Sequence, residues 1–192
     1  MRALRTGIVA SLLAVSIAGG VRAEGSIDNL LQDSSFEDGI PGAFSSHWVP
    51  FGKAFPEEIT ARTGTHVVKL FGNFDAKDNF SGVFQDVAVE GSEKYEASIY
   101  IRTNEEDKLT AGTKAWVKLE FYDGEGNMVG ASESPEKLTT FATADNYKRL
   151  TTGAVMAPVE AAKARFVYIF QQEDPEAGGA TLGDDPQLRK VD

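Results

Sequence analysis

The sequence predicts an all-β protein, a β-sandwich (jelly roll) of two antiparallel sheets. Three observations carry this prediction. Apolar and polar residues alternate strictly in SIYIRT and KAWVKLEFY, the period of strands with one face on a core and one in water. Such segments recur along the chain with polar turn clusters between them, GNFDAKDN, EGSEK, NEEDKLTAGT, DGEGN and EDPEAGG, which is the rhythm of a sandwich. No stretch holds a helical period. VEAAKARF is rich in Ala, Glu and Lys, but it is short, follows Pro158 and lacks a capping residue, so it reads as a turn feeding a strand.

Taken in order, residues 1–23 stand apart. MRALRTG is basic, and IVASLLAVSIAGG is apolar but shorter than the ~20 residues of a membrane span. VRA then sets small side chains at Val21 and Ala23. This is the pattern of a secretory signal peptide. It predicts an exported protein, periplasmic or extracellular, with residues 24–192 as one domain. SSHWVPFGKAF, with three aromatics beside Pro50 and Gly52 and with Pro56 just beyond, reads as a loop. Strands are expected at HVVKLFG, FSGVFQDVAV, SIYIRT, KAWVKLEFY, NMVGASES, YKRLTTGAVM and RFVYIFQQ. DGEGN lacks the length and closing Glu of an EF-hand loop and is a hairpin turn.

Composition narrows the partners. There are no cysteines, so no disulfide can brace the exported chain, and any staple would be a metal. Setting aside the three arginines of the leader leaves 16 bases against 29 acids, a net charge of −13. Such a chain repels nucleic acid, anionic lipid and acidic polysaccharide, which leaves neutral molecules or cations. Catalytic patterns are thin: His47 and His66 have no HExxH spacing, and no GxSxG elbow or thiol nucleophile is present. A carboxylate pair for glycoside cleavage is available in principle, but no compact acidic motif lies on one strand face.

The ordered motifs NLLQDSSFEDG, Trp48, GTHVVKLFG, GVFQDVAVEGSEKYEASIYIR and GGATLGDDPQL resemble the carbohydrate-binding modules of the family 4/9/22 type (CenC-like), in the galactose-binding-domain-like superfamily. The resemblance runs from about Asn29 to Leu188. It departs from the family pattern at the end, where Pro186 stands for a usual Val and Gly183 for a larger residue. Proline cannot donate to a ladder, so the last strand is expected to be interrupted or at an edge there.

The resemblance implies that the first and last strands lie side by side, tied by a structural calcium. Glu37 and Asp184 or Asp185 would be its side-chain ligands, with carbonyls near Gly39 and Gly64. The same acids could instead be solvated, or accept backbone N–H groups. For a sugar, aromatic faces meet apolar ring surfaces, while Arg and Gln suit paired hydroxyls. Tyr100 and Arg102, with Trp116, Lys118 and Glu120, then look like the wet, aromatic-lined cleft of glycan-chain-binding members, with Gln85 and Gln171 on strands that could join it. The loop aromatics Trp48, Phe51 and Phe55 form a competing site at the rim, with Trp48 itself either a stacking platform there or a plug in the core. The function expected is a non-catalytic, monomeric module for a neutral glycan, acting alone or with a partner enzyme or surface protein. A protein-binding adhesive domain is the second reading, and a polysaccharide lyase or glycosidase the third.

Overall fold

The computed structural model describes residues 29–59, 61–142, 144 and 146–192; the expected leader lies outside them. Eleven strands form among the described residues, and no helix. They are β1 (Val49–Phe51), β2 (Lys53–Glu58), β3 (His66–Phe71), β4 (Asn79–Ala88), β5 (Lys94–Thr103), β6 (Thr113–Tyr122), β7 (Met128–Glu133), β8 (Lys148–Thr151), β9 (Val155–Met156), β10 (Lys163–Gln172) and β11 (Ala180–Val191). One antiparallel sheet has the order β1-β4-β10-β6-β7. The other has the order β2-β3-β11-β5-β8, with β9 also pairing β5. The two sheets form the expected sandwich.

Alternation builds the core between them. Val117, Leu119 and Phe121 of β6 and Phe166, Tyr168 and Phe170 of β10 face Leu70, Ile99 and Ile101 from the opposite sheet, all buried. Each such side chain contributes ~1.5–3 kcal/mol by leaving water. The one polar tip among the six, the Tyr168 hydroxyl, donates to Thr181 Oγ1 at 2.7 Å across the sandwich. Gly183 makes room for that ring, because a Cβ there would sit 2.4 Å from Tyr168 Cε1. The glycine that departs from the family pattern is therefore explained by the tyrosine opposite it.

The structure corrects the expected loop SSHWVPFGKAF, which carries β1 and the start of β2. Both strands lie at sheet edges, where Pro50 and Pro56 cost no ladder bond. Gly52, at φ 62, turns the chain from one sheet to the other, and its missing Cβ would meet the Phe80 carbonyl at 2.4 Å. VEAAKARF is a turn leading into β10, as expected.

Pro186 does not put the last strand at an edge, since β11 lies between β3 and β5. It interrupts the ladder instead: the register with β5 slips between Asp184 and Gln187, and Asp185 takes φ 49. The opening segment covers the break. Asn29 Nδ2 donates to the Pro186 carbonyl at 3.0 Å, and Leu188 N–H donates to Asn29 Oδ1 at 3.0 Å. Leu30 N–H donates to the Leu188 carbonyl at 2.8 Å. The first described residues thus lie beside the last strand. No helix among the described residues is long and apolar enough to cross a membrane.

Candidate functional site

Parity along β6 divides its side chains. Ala115, Val117, Leu119 and Phe121 enter the core, so Lys114, Trp116, Lys118, Glu120 and Tyr122 face outward. The register with β1, β4, β10 and β7 then lines outward residues into rows across the strands. One row reads Phe51, Gly82, Ile169, Trp116. The next reads Val49, Phe84, Val167, Lys118, Glu133, and the third Asp86, Arg165, Glu120, Ala131. With neighbouring strands ~4.8 Å apart, Phe51 and Trp116 stand about 14 Å from each other along their row.

These rows form two adjoining depressions that share Lys118 and Ile169. One, of about 330 Å³, has Phe51, Phe84 and Tyr122 as its rings, Val167 on its floor, and Glu120 and Arg165 as polar groups. The other, of about 430 Å³, is bounded by Phe80, Trp116, Lys114, Gln171, Glu133 and Lys137. Together they make one shallow groove on the outer face of the five-stranded sheet. Two larger recesses exist, of about 590 and 700 Å³. The first has Phe84 as its one phenyl ring and the second has no aromatic ring, so neither offers a series of stacking faces.

The polar groups of the groove are held in place by one another. Arg165 donates from Nε and Nη2 to the two oxygens of Asp86, at 2.6 and 2.9 Å, and lies 3.9 Å from the Phe84 ring centroid. Lys163 adds a bond to Asp86 at 2.9 Å. Burial opposes ionisation of Asp86, yet Arg165 and Lys163 outweigh it and hold the carboxyl below its usual range. The Tyr122 hydroxyl donates to Glu120 Oε2 at 2.7 Å, and Lys118 reaches Glu120 Oε1 at 2.8 Å. Burial, then the bond to Glu120, pushes Tyr122 up to about 12, so it remains a hydrogen-bond donor. Aromatic faces beside fixed donors and acceptors are the chemistry that binds a polyhydroxylated ring.

Of the residues expected from sequence, Trp116, Lys118, Glu120 and Gln171 come together here. Tyr100 and Arg102 do not. They lie on β5, in the other sheet, and their wet face points to the opposite side of the molecule. There Arg62 packs 3.8 Å from the Tyr100 ring centroid, and Arg102 donates to the Ala144 carbonyl at 3.1 Å. Gln85 points inward, 6% exposed, and its amide bonds both the N–H and the carbonyl of Gln32, at 2.7 and 2.9 Å. It clamps the opening segment rather than facing the groove.

Trp48 is a core residue, packed on Phe36 and edge-on to Phe166, with its indole N–H given to the Asp33 carbonyl at 2.9 Å. Phe51, expected at the rim, joins this groove as part of β1. Phe84, Tyr122 and Arg165 lie outside the expected set, because which strands neighbour each other cannot be read from any one strand.

The acids expected to hold calcium grip a loop instead. Glu37 Oε1 accepts the N–H groups of Thr65 and His66 at 2.7 and 2.8 Å, and Oε2 accepts the Thr65 hydroxyl at 3.0 Å and lies 2.7 Å from His66 Nδ1. Asp184 Oδ2 accepts the N–H groups of Arg62 and Thr63 at 2.8 and 2.9 Å, and Oδ1 that of Asp185 at 2.7 Å. Asp185 takes the Thr63 hydroxyl at 2.6 Å and pairs with Arg62. The two acidic stretches therefore do meet on one loop, residues 62–66. Calcium asks for six to eight oxygens. These oxygens already accept hydrogens, and among the described residues no group of three or more His, Asp or Glu could hold a metal ion. As placed, the residues do not fit the ion.

No known protein-family profile matches the sequence, and no curated protein sequence matches it. Solved structures do resemble it. The CBM22-1 xylan-binding domain from Paenibacillus barcinonensis Xyn10C aligns at 21% identity and a TM-score of 0.53, covering 82% of this chain and 92% of that one. TmCBM61, solved with β-1,4-galactotriose, aligns at 18% identity and a TM-score of 0.51, over 85% of this chain and 99% of that one. Tailspike protein 4 of bacteriophage CBA120, solved as an enzymatically active domain, aligns at 12% identity and a TM-score of 0.60, over 85% of this chain but 21% of that one. This chain therefore spans about a fifth of that protein. It has the β-sandwich fold of these carbohydrate-binding modules.

Proposed function

We propose that the protein is an exported, non-catalytic module that binds a neutral glycan along the outer groove of the five-stranded sheet. The observation that carries this reading is the groove itself, with Phe51, Phe84, Tyr122 and Trp116 beside polar groups already fixed in pairs. The fold likeness to a xylan-binding domain and to a galactotriose complex supports the same ligand class. A neutral sugar suits the electrostatics. Each groove cation already has a carboxylate partner, so sugar hydroxyls can bridge existing pairs without bringing charge. Asp86 is also a poor candidate for acid catalysis. A glycosidase needs one carboxyl kept protonated, whereas Asp86 is held ionised by Arg165 and Lys163.

The test is affinity electrophoresis in gels containing xylan, mixed-linkage β-glucan or β-1,4-galactan. At least one polymer should retard the protein. Phe84→Ala should weaken the retardation about tenfold, since a decade is ~1.4 kcal/mol and one stacked ring supplies that much with its buried area. No reducing sugar should be released. Retardation by none of the three, or retardation that Phe84→Ala leaves untouched, would remove the groove from consideration.

A further inference from the structure

The Trp116 end of the groove is covered. Trp116 faces outward by register, yet it is only 4% exposed, and its indole N–H is buried without a hydrogen-bond partner. Lys137 lies over the ring, with its ammonium 4.0 Å from the Trp116 ring centroid. The same ammonium is 3.0 Å from Glu133 Oε2.

The backbone beneath Lys137 is pinned on both sides of the tryptophan. Ser134 N–H donates to the Val117 carbonyl at 2.9 Å, and Leu138 exchanges two bonds with Ala115, at 2.8 and 3.0 Å. Leu138 itself is buried in the core. The segment from Ser134 to Leu138 therefore brackets Trp116, and it carries Lys137 over the ring.

Resting on the groove as a glycan site, we infer that Lys137 is a displaceable cap on Trp116, which a glycan must lift to reach that ring. In the free protein the groove offers Phe51, Phe84 and Tyr122, while the largest stacking face is occupied by an ammonium. A sugar long enough to cross Ile169 displaces the ammonium, stacks on the indole and offers an oxygen to its unpartnered N–H. A partly desolvated cation–π contact is equivalent to about a decade in an equilibrium constant, so the cap penalises long ligands by about that factor and leaves short ones alone.

Acrylamide quenching tests the cap without any sugar. The chain has two tryptophans, and Trp48 is buried with its N–H bonded, so a change in quenching reports Trp116. Lys137→Ala should raise the quenching constant at least twofold, and Glu133→Gln, which frees the ammonium, should raise it less. Xylohexaose titration of the same proteins should show about tenfold tighter binding for Lys137→Ala. Unchanged quenching in both variants overturns the cap, as does weaker or equal xylohexaose binding by Lys137→Ala when the wild type binds. Raised quenching with no xylohexaose binding by any variant leaves the cap standing and removes the glycan from the groove.

Discussion

Gly183 and Tyr168 show how one residue's identity is fixed by another far from it in sequence. With the ring 2.4 Å from where a Cβ would be, Gly183→Val must push Tyr168 aside or open the sheets, and overpacking of that kind costs ~1–3 kcal/mol. Thermal unfolding should show the loss as a lower Tm. Tyr168→Phe tests the hydrogen bond separately. It strands the Thr181 hydroxyl, which is fully buried, and should destabilise by ~1–3 kcal/mol. Phe36 answers a related question about DSSFEDG. It lies in the core against Trp48, 4.9 Å between centroids and 2% exposed, while the acid beside it, Glu37, turns outward to the loop. Phe36 takes φ 59, uncommon for a bulky residue, in the turn that carries both side chains.

The loop gripped by Glu37 and Asp184 gives the element scale its clearest pH response. Burial would raise the Glu37 carboxyl, but the bonds from His66 and Thr65 overcome it and bring it down to about 2 from an ordinary 4.5. A carboxyl depressed on folding stabilises fully above its unfolded value and loses that contribution as pH falls through its folded value. The Tm should therefore decline as pH drops from about 4.5 to about 2, with a shallower decline in Glu37→Gln. Asp184 works in the opposite sense. Burial raises its carboxyl against the N–H bonds it accepts, so its contribution weakens as pH rises through that value. Because the Glu37 and Asp184 oxygens already accept hydrogens from the loop, millimolar calcium should raise the Tm no more than magnesium does, and a rise specific to calcium that chelator abolishes would overturn that reading.

What the sequence showed at this scale was uneven. β5 and β6 were legible because their period is strict, and β4 and β10 because turn clusters bound their apolar runs. β1 and β2 were not, because Pro50, Gly52 and Pro56 carry turn chemistry while sitting at permissive edges. The candidate site was half legible. Parity told which β6 residues face water, but strand order assigned Tyr100 and Arg102 to the other sheet.

At the scale of the whole molecule, the two sheets give two wet faces directed away from each other. Arg102→Ala should leave polysaccharide retardation within twofold of wild type, whereas Arg165→Ala should weaken it about tenfold, since it leaves Asp86 with Lys163 alone and removes the guanidinium packed on Phe84. Equal losses in both would mean that binding does not respect the division between sheets. Export is testable at the same scale: mass spectrometry of the protein recovered from outside the cytoplasm should give a chain starting at Glu24, and an intact Met1 form held in membrane would contradict the leader.

The segment Asn29 to Leu31 lying along β11 has a consequence for how the molecule can be mounted. Both ends of the described chain leave from the same sheet, and the groove opens from the other. A linker, bead or neighbouring domain joined after Asp192 would therefore be attached through the sheet that does not carry the groove. Copies fixed to one support in that way would share one orientation. On an immobile polymer, that orientation turns modest single-site affinity into avidity, with the local concentration set by linker length.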